Sequence, residues 1–208
     1  MENTTYLHSY CHLRKDNVLL NEEILQIGEH RSMNEFLKAI YNYLQLDYPK
    51  FFKMDELCKL AFITTELVLK DFPLQEFSEG ETAIILANAS STLETDIKYQ
   101  ESIKDEQNYF PSPAVFVYTL PNITIGEITI RHKLKGENTF FVMEEYDIRF
   151  MYQYVNLLLQ NNSAEMALAG WVEYGSESYE AFIYLVGKDK KGLSIEHNQQ
   201  NIDRLYNS

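Results

Sequence analysis

Apolar positions recur at helical spacing in two stretches of the first third of the chain. Phe36, Ile40 and Leu44 share one face of residues 33–46, and Tyr48-Pro49 breaks that helix. Residues 54–71 carry the stronger pattern: Leu57, Leu60, Ala61, Thr64, Leu67 and Val68 follow the i, i+3, i+4 rule, and Asp71-Phe72-Pro73 stops it. Other stretches have no such period. TYLHSYCHLR, residues 4–13, reads as a first strand. ETAIILANAS, residues 81–90, is a continuous apolar run, the pattern of a strand covered on both faces in a parallel sheet. Residues 92–107 predict a polar, exposed helix, and NYFPSP at 108–113 predicts a loop. A short apolar strand is predicted at 139–143. Residues 147–160 are apolar almost all round, which predicts a buried helix. Residues 166–172 and 180–187 read as the last two strands.

The stretch 121–134 supports two readings. Ile123, Ile125, Ile128 and Ile130 are β-branched and favour a strand. Leu120, Ile123, Glu127, Ile130 and Leu134 follow a helical spacing, with Pro121 suited to a first helical turn. Elsewhere strands and helices alternate, so the class is α/β. Only residues 173–179 separate the last two strands. That is too short for a parallel crossover, so the pair is expected to be antiparallel and the sheet mixed. Residues 1–188 form the expected domain. Residues 189–208 are polar and predict a loose tail or a short terminal helix.

Charge and composition remove several function classes. A net charge of −13 repels nucleic acid and anionic membrane surfaces, so neither is an expected partner. No segment approaches the apolar length of a membrane span, and the N-terminus lacks a basic region followed by an apolar one. A cytoplasmic location is the expectation. Cys11 and Cys58 sit among apolar residues and read as buried, inert thiols. The glycines are scattered, with no dinucleotide fingerprint, phosphate loop or G-x-S-x-G elbow. His8 and His12 lie four apart in a predicted strand, which is no helical metal pair. No metal and no cofactor are expected.

One order of residues is more specific. YPKFFKMD (48–55) leads into the long apolar helix, and the strand AIILANASSTLETD (83–96) follows. SPAVFVYTLPNITIGEITIRHKLKGENTFFV (112–142) comes next, then AEMALAGWVEY (164–174) and EAFIYLVGK (180–188). In kind and spacing this order resembles the N-terminal half of a β-ketoacyl synthase, a condensing enzyme of the thiolase-like fold. The short forms found beside aryl-polyene and flexirubin-type pigment synthases are the nearest subgroup. The resemblance implies a thiolase-like half: a mixed five-stranded sheet, mostly parallel with one antiparallel edge strand, and helices on both faces. It also implies a helix over 121–134.

In that family the strand equivalent to 139–143 turns into the buried helix, and a reactive cysteine stands at the helix N-terminus. There the helix dipole and unpaired N–H groups stabilise a thiolate. The resemblance puts this position at Glu145, with Glu144 beside it. A carboxylate is a weak nucleophile towards a thioester. Active members also carry two histidines and a lysine in a C-terminal half for which this sequence shows no counterpart; His132 and His197 fall in unrelated elements. Glu144 and Glu145 are therefore expected as first-turn acids of the helix, with no catalytic residue. A half of such a fold leaves apolar surface open. Phe140, Phe141, Val142, Met151, Tyr152, Val155 and Leu159 are the expected interface. The cover would be an identical subunit or a full-length ketosynthase. Arg131, Lys133, Lys135 and Arg149 form a candidate patch for an acyl carrier protein. The expected role is a non-catalytic, ketosynthase-like accessory protein. The alternatives are a module binding an acyl chain or its carrier, or a residual thioester-directed enzyme using Glu145.

Overall fold

Every residue of the strand Thr82–Asn88 is buried, and its neighbours explain why. It is β4, with β5 (Asn138–Val142) on one side and β6 (Met166–Tyr174) on the other, both parallel to it. The computed structural model describes residues 4–15, 17–28, 32–72, 80–105, 107, 109–175 and 178–208. The remaining strands are β1 (Tyr6–Arg14), β2 (Asn17–Leu20), β3 (Glu23–Leu25), β7 (Tyr179–Gly187) and β8 (Ile195–Glu196). The helices are α1 (Met33–Tyr43), α2 (Glu56–Leu69), α3 (Leu93–Ile103), α4 (Pro113–Val117), α5 (Asn122–His132), α6 (Ile148–Gln160) and α7 (Gln199–Tyr206).

The sheet runs β3-β2-β1-β7-β6-β4-β5, with β8 added to β1. The α/β class, the mixed sheet and helices on both faces match the expectation. The sheet has eight strands rather than five. Parallel pairing is confined to β4 with β5 and β6; the other pairings are antiparallel. Short connections impose this for β1 with β2, β2 with β3 and β6 with β7, because a parallel pair needs a long crossover. The β2–β3 hairpin turns on Asn21 and Glu22, both with positive φ, the geometry of a two-residue hairpin loop. β6 and β7 approach so closely that a Cβ on Gly170 would stand 1.9 Å from the Phe182 carbonyl oxygen, so only glycine fits.

Two cores sandwich the sheet. α1, α2 and α5 cover one face with Phe36, Leu60, Phe62 and Ile128. α6 and α7 cover the other with Met151, Val155, Leu159, Ile202 and Leu205. Residues 121–134 resolve as helix: α5 buries Ile125 and Ile128 and stops at Lys133 in the left-handed region (φ 56). The polar segment after Lys188 is packed, since β8 pairs with β1 and α7 buries Ile202 and Leu205. Among the described residues no helix is long and apolar enough to cross a membrane.

Candidate functional site

β5 is one edge strand of the sheet, and the chain leaves it towards α6 in five residues. The Met143 amide still donates to the Asn88 carbonyl oxygen (2.9 Å). Glu144 and Glu145 then form an exposed bend, and Tyr146 turns back under the sheet. Asp147 caps α6: its Oδ1 accepts from the Phe150 amide at 2.9 Å. Both glutamates therefore stand before the cap, outside the first helical turn where the sequence placed them. The physical reason is the cap itself, because a side-chain oxygen on an early amide fixes the helix start. Glu145 consequently misses the unpaired N–H groups that would stabilise charge at a helix N-terminus.

What lies behind this bend was not foreseen. The Tyr146 ring packs on Tyr206 (5.0 Å), Trp171 (5.8 Å) and Phe182 (6.1 Å). Burial pushes the Tyr146 and Tyr184 phenols up, so both stay protonated. His197, which the sequence put in the tail, is buried between Tyr152 and Tyr184, with Nδ1 3.2 Å from Thr5 Oγ1. Burial lowers its pKa to about 3, so it remains neutral. On the same face His12 Nε2 meets Glu180 Oε1 at 2.8 Å, and the Tyr206 hydroxyl donates to Glu180 Oε2 at 3.1 Å. Burial opposes ionisation of Glu180, but His12, Tyr206 and Arg14 together hold its pKa below the usual range. This layer ties α7 to the sheet.

The other sulfur and nitrogen candidates are committed elsewhere. Cys11 and Cys58 are buried and burial pushes both thiols up, so neither offers a thiolate. His132 Nε2 stands 2.9 Å from Glu66 Oε1, beside Arg131 Nε at 3.2 Å. His8 stacks on Phe72 on the α2 face, whereas His12 stacks on Tyr206 on the other, so the two imidazoles lie on opposite sides of the sheet.

The expected interface splits. Met151, Val155 and Leu159 are buried against the chain's own sheet and present no surface, which corrects the sequence reading. Tyr152 is half-buried against His197. Phe140 and Phe141 are half-buried, and Val142 is 55% exposed. The outer side of α6 is a second apolar stripe, Phe150 (36% exposed), Tyr154 and Leu157 (58% exposed). Phe141 joins it to β5 through Phe150 (4.9 Å) and Tyr154 (5.2 Å). Its spacing, i, i+4, i+7, was present in the sequence; an all-round apolar helix hid which stripe would face outward.

The four cations of the candidate carrier patch are not brought together. Arg131 is engaged by Glu66 and lies over the Tyr48 ring (5.0 Å). Lys133 and Lys135 are exposed after α5, on the α2 face, while Arg149 sits on α6 beyond β5 on the other.

No protein-family model matches the chain, and no curated protein matches it in sequence. Solved structures do match its fold. The ishigamide ketosynthase/chain length factor superposes with a TM-score of 0.66 at 16% identity, covering 88% of this chain and 62% of that one. The AntDE:AntF complex, a type II PKS acyl-carrier protein with its ketosynthase bound to the hexaketide, gives 0.59 at 13% identity, covering 98% and 65%. The ketosynthase ApeO in complex with its chain length factor ApeC, from Xenorhabdus doucetiae, gives 0.58 at 14%, covering 98% and 90%. This chain thus spans less than two thirds of the first two. At these identities the likeness is one of fold. The chain shares the fold of these ketosynthase structures.

Proposed function

We propose that this protein is a catalytically inactive, ketosynthase-like accessory protein of a fatty-acid or polyketide-type pigment pathway, and that it acts as the partner of an active ketosynthase. One observation supports the reading: Glu145, at the position the resemblance assigns to the nucleophile, is an exposed carboxylate outside the helix, and beside it lies a sheet edge that no described residue pairs, backed by aromatic side chains. An open edge strand presents unpaired N–H and C=O groups to another strand. Val142, Phe150 and Leu157 add apolar area beside it. Two of the structures sharing this fold are described as ketosynthases with a chain length factor, which fits a role as a non-identical partner.

Co-expression with a full-length ketosynthase, followed by size-exclusion chromatography with light scattering, tests the reading. A heteromer is expected, and the double substitution Val142→Lys with Leu157→Lys is expected to release it. A homodimer would keep the edge and change the occupant. A strict monomer beside every ketosynthase offered would end the proposal. A second reading, binding of an acyl carrier protein, is favoured by the exposed Lys133 and Lys135 and by the carrier complex that shares this fold. It requires saturable carrier binding that charge reversal at those two lysines removes; the net charge of −13 works against it. Glu145→Ala is expected to leave thioester turnover at the uncatalysed level.

A further inference from the structure

α7 meets the sheet through a joint built on His197. β8 lies antiparallel to β1, pairing Ile195 with Leu7 and Glu196 with Tyr6. The His197 amide adds a last rung by donating to the Thr5 carbonyl oxygen at 2.9 Å. The next residue, Asn198, starts the helix: its side chain accepts from the Asn201 amide at 2.9 Å. His197 thus stands between ladder and helix. Its ring is tucked inward, 5.1 Å from the Tyr152 ring of α6 and 5.7 Å from the Tyr184 ring of β7.

The joint suits only a neutral imidazole. His197 is buried, its Nδ1 lies 3.2 Å from the Thr5 hydroxyl oxygen, and its Nε2 has no hydrogen-bond partner. An imidazolium donates from both ring nitrogens. A second proton would strand a charged N–H among aromatic side chains, which is costly without a partner. No charge offsets that cost. Tyr152 faces the ring from α6, Tyr184 from β7 and Thr5 from the residue before β1, and none of them is a carboxylate. Arg149 of α6, Glu196 of β8, and Asp203 and Arg204 of α7 are exposed. At the far end of α7, His12 and Arg14 of β1 pair with Glu180 of β7. Burial alone lowers the His197 pKa.

The other ties on α7 are modest. It buries Ile202 and Leu205, the Tyr206 hydroxyl donates to Glu180 Oε2 at 3.1 Å, and the Arg204–Glu22 pair (3.4 Å) is exposed. Elements with few buried contacts open at a lower free energy than the core. Beneath α7 lies aromatic surface, with Tyr206 against Tyr146 (5.0 Å) and Phe182 (5.5 Å). We infer that α7 is an acid-released cap: as pH falls, the segment from His197 to Tyr206 leaves the sheet while the core strands stay paired, uncovering Tyr146, Phe182 and Tyr184. This surface is separate from the one offered to a ketosynthase, because Tyr152 and the Phe150–Tyr154 stripe lie on opposite flanks of α6. The sign follows from proton uptake. In the closed form His197 refuses a proton down to about pH 3, whereas a released His197 takes one near its ordinary 6.5. Closure is therefore complete above 6.5 and weakens about tenfold per pH unit below it. Glu180 does not titrate in this range, since its partners hold its pKa below the usual 4.5.

The test is amide hydrogen exchange of the whole chain by NMR between pH 7.5 and pH 5, corrected for the intrinsic pH dependence of exchange. The Ile202 amide, bonded to the Asn198 carbonyl oxygen, reports α7, and the Ile84 amide, bonded to the Glu137 carbonyl oxygen, reports the core. The Ile202 opening constant is expected to exceed that of Ile84 at every pH and to rise about thirtyfold from pH 7.5 to pH 5. In His197→Gln it is expected to stay within about twofold over the same range, since His12 and the carboxylates are common to both chains. Tyr206→Phe loses only the bond to Glu180, and is expected to raise the constant about fivefold at every pH and leave its slope intact. Equal opening constants for Ile202 and Ile84 would mean that α7 leaves only when the whole fold unfolds, and would overturn the inference. A pH-independent Ile202 constant in the wild type, or the same rise in His197→Gln, would overturn it too. Should His197→Gln fail to fold, the ring titration of His197 in the wild type decides: protonation near 6.5 in the closed protein refutes the cap, and a ring neutral at pH 5 in the closed protein upholds it.

Discussion

α2 and α6 lie on opposite faces of one sheet, and both are rich in apolar residues, yet they live in different surroundings. α2 buries eleven residues, from Leu57 to Leu69, because the sheet lies under it and α1 and α5 flank it. α6 buries only Met151, Val155, Leu158 and Leu159, and leaves Phe150 and Leu157 in solvent. The sequence pointed the other way: the period of 54–71 read as amphipathic, and 147–160 read as buried all round. The difference teaches that an apolar stripe states a demand for cover and says nothing of the source. For α2 the chain supplies the cover. For α6 it supplies the sheet and α7, and the outer stripe stays open beside β5. That asymmetry is what the proposed partnership rests on.

The sharpest way to break the comparison is to truncate one leucine on each helix. Leu60 is buried in the α2 core, so Leu60→Ala is expected to cost about 3–5 kcal/mol in urea unfolding. Leu157 stands in solvent, and Leu157→Ala is expected to stay within about 0.5 kcal/mol. Equal losses would mean that the outer stripe of α6 is already covered in the free protein, and the proposal of an uncovered edge would lose its footing.

A second test uses pH on the α6 face alone. His197 has a folded pKa of about 3 against an ordinary 6.5, because burial disfavours the imidazolium. Below 6.5 the unfolded chain takes up a proton that the folded chain refuses until about pH 3. The stabilisation is therefore complete above 6.5 and is lost progressively as pH falls towards 3, by up to about 1.4 kcal/mol per pH unit. His197→Gln lacks this titration. The stability difference between wild type and variant is expected to shrink steadily from pH 7.5 to pH 4, since the carboxylates common to both cancel. A difference independent of pH would place His197 in contact with water.

These surroundings mark the limit of what was legible. The elements came from local pattern: the i, i+4 leucines of α2, the apolar run of β4, and the short connection that makes β6 and β7 antiparallel. α5 could not be settled that way, because its isoleucines favour a strand while its Ile125 and Ile128 serve a helix packed on α2. β2 and β3 escaped because Asn21-Glu22 lacks the glycine that usually marks a two-residue hairpin. The packed C-terminus was visible only as Ile202 and Leu205, three apart in a polar helix. The site suffered most. The position of Glu145 followed from the resemblance, but Asp147 as the cap and Tyr146 as a partly buried ring depend on where the chain turns. The pairings of His12 with Glu180 and Lys50 with Glu127 join residues far apart in sequence, which no local period reports.

The smallest expected effect compares the two helix starts. Each helix is capped by an aspartate: Asp55 accepts from the Cys58 amide at 3.0 Å, and Asp147 from the Phe150 amide at 2.9 Å. Asp55 does a second job, accepting from the hydroxyl of the buried Thr95 on α3 at 2.8 Å. Asp147→Ala is expected to cost about 1 kcal/mol, the usual worth of a cap. Asp55→Ala is expected to cost about 2 kcal/mol, because it also strands a buried hydroxyl. Adding Thr95→Val to Asp55→Ala removes that orphan, so the double variant is expected to recover part of the loss and the single costs not to add. If Asp147→Ala instead matched or exceeded Asp55→Ala, the start of α6 would be holding more than its own first turn. The bend at Glu144 and Glu145 would then be a constrained part of the fold, and a role for its carboxylates would need fresh consideration.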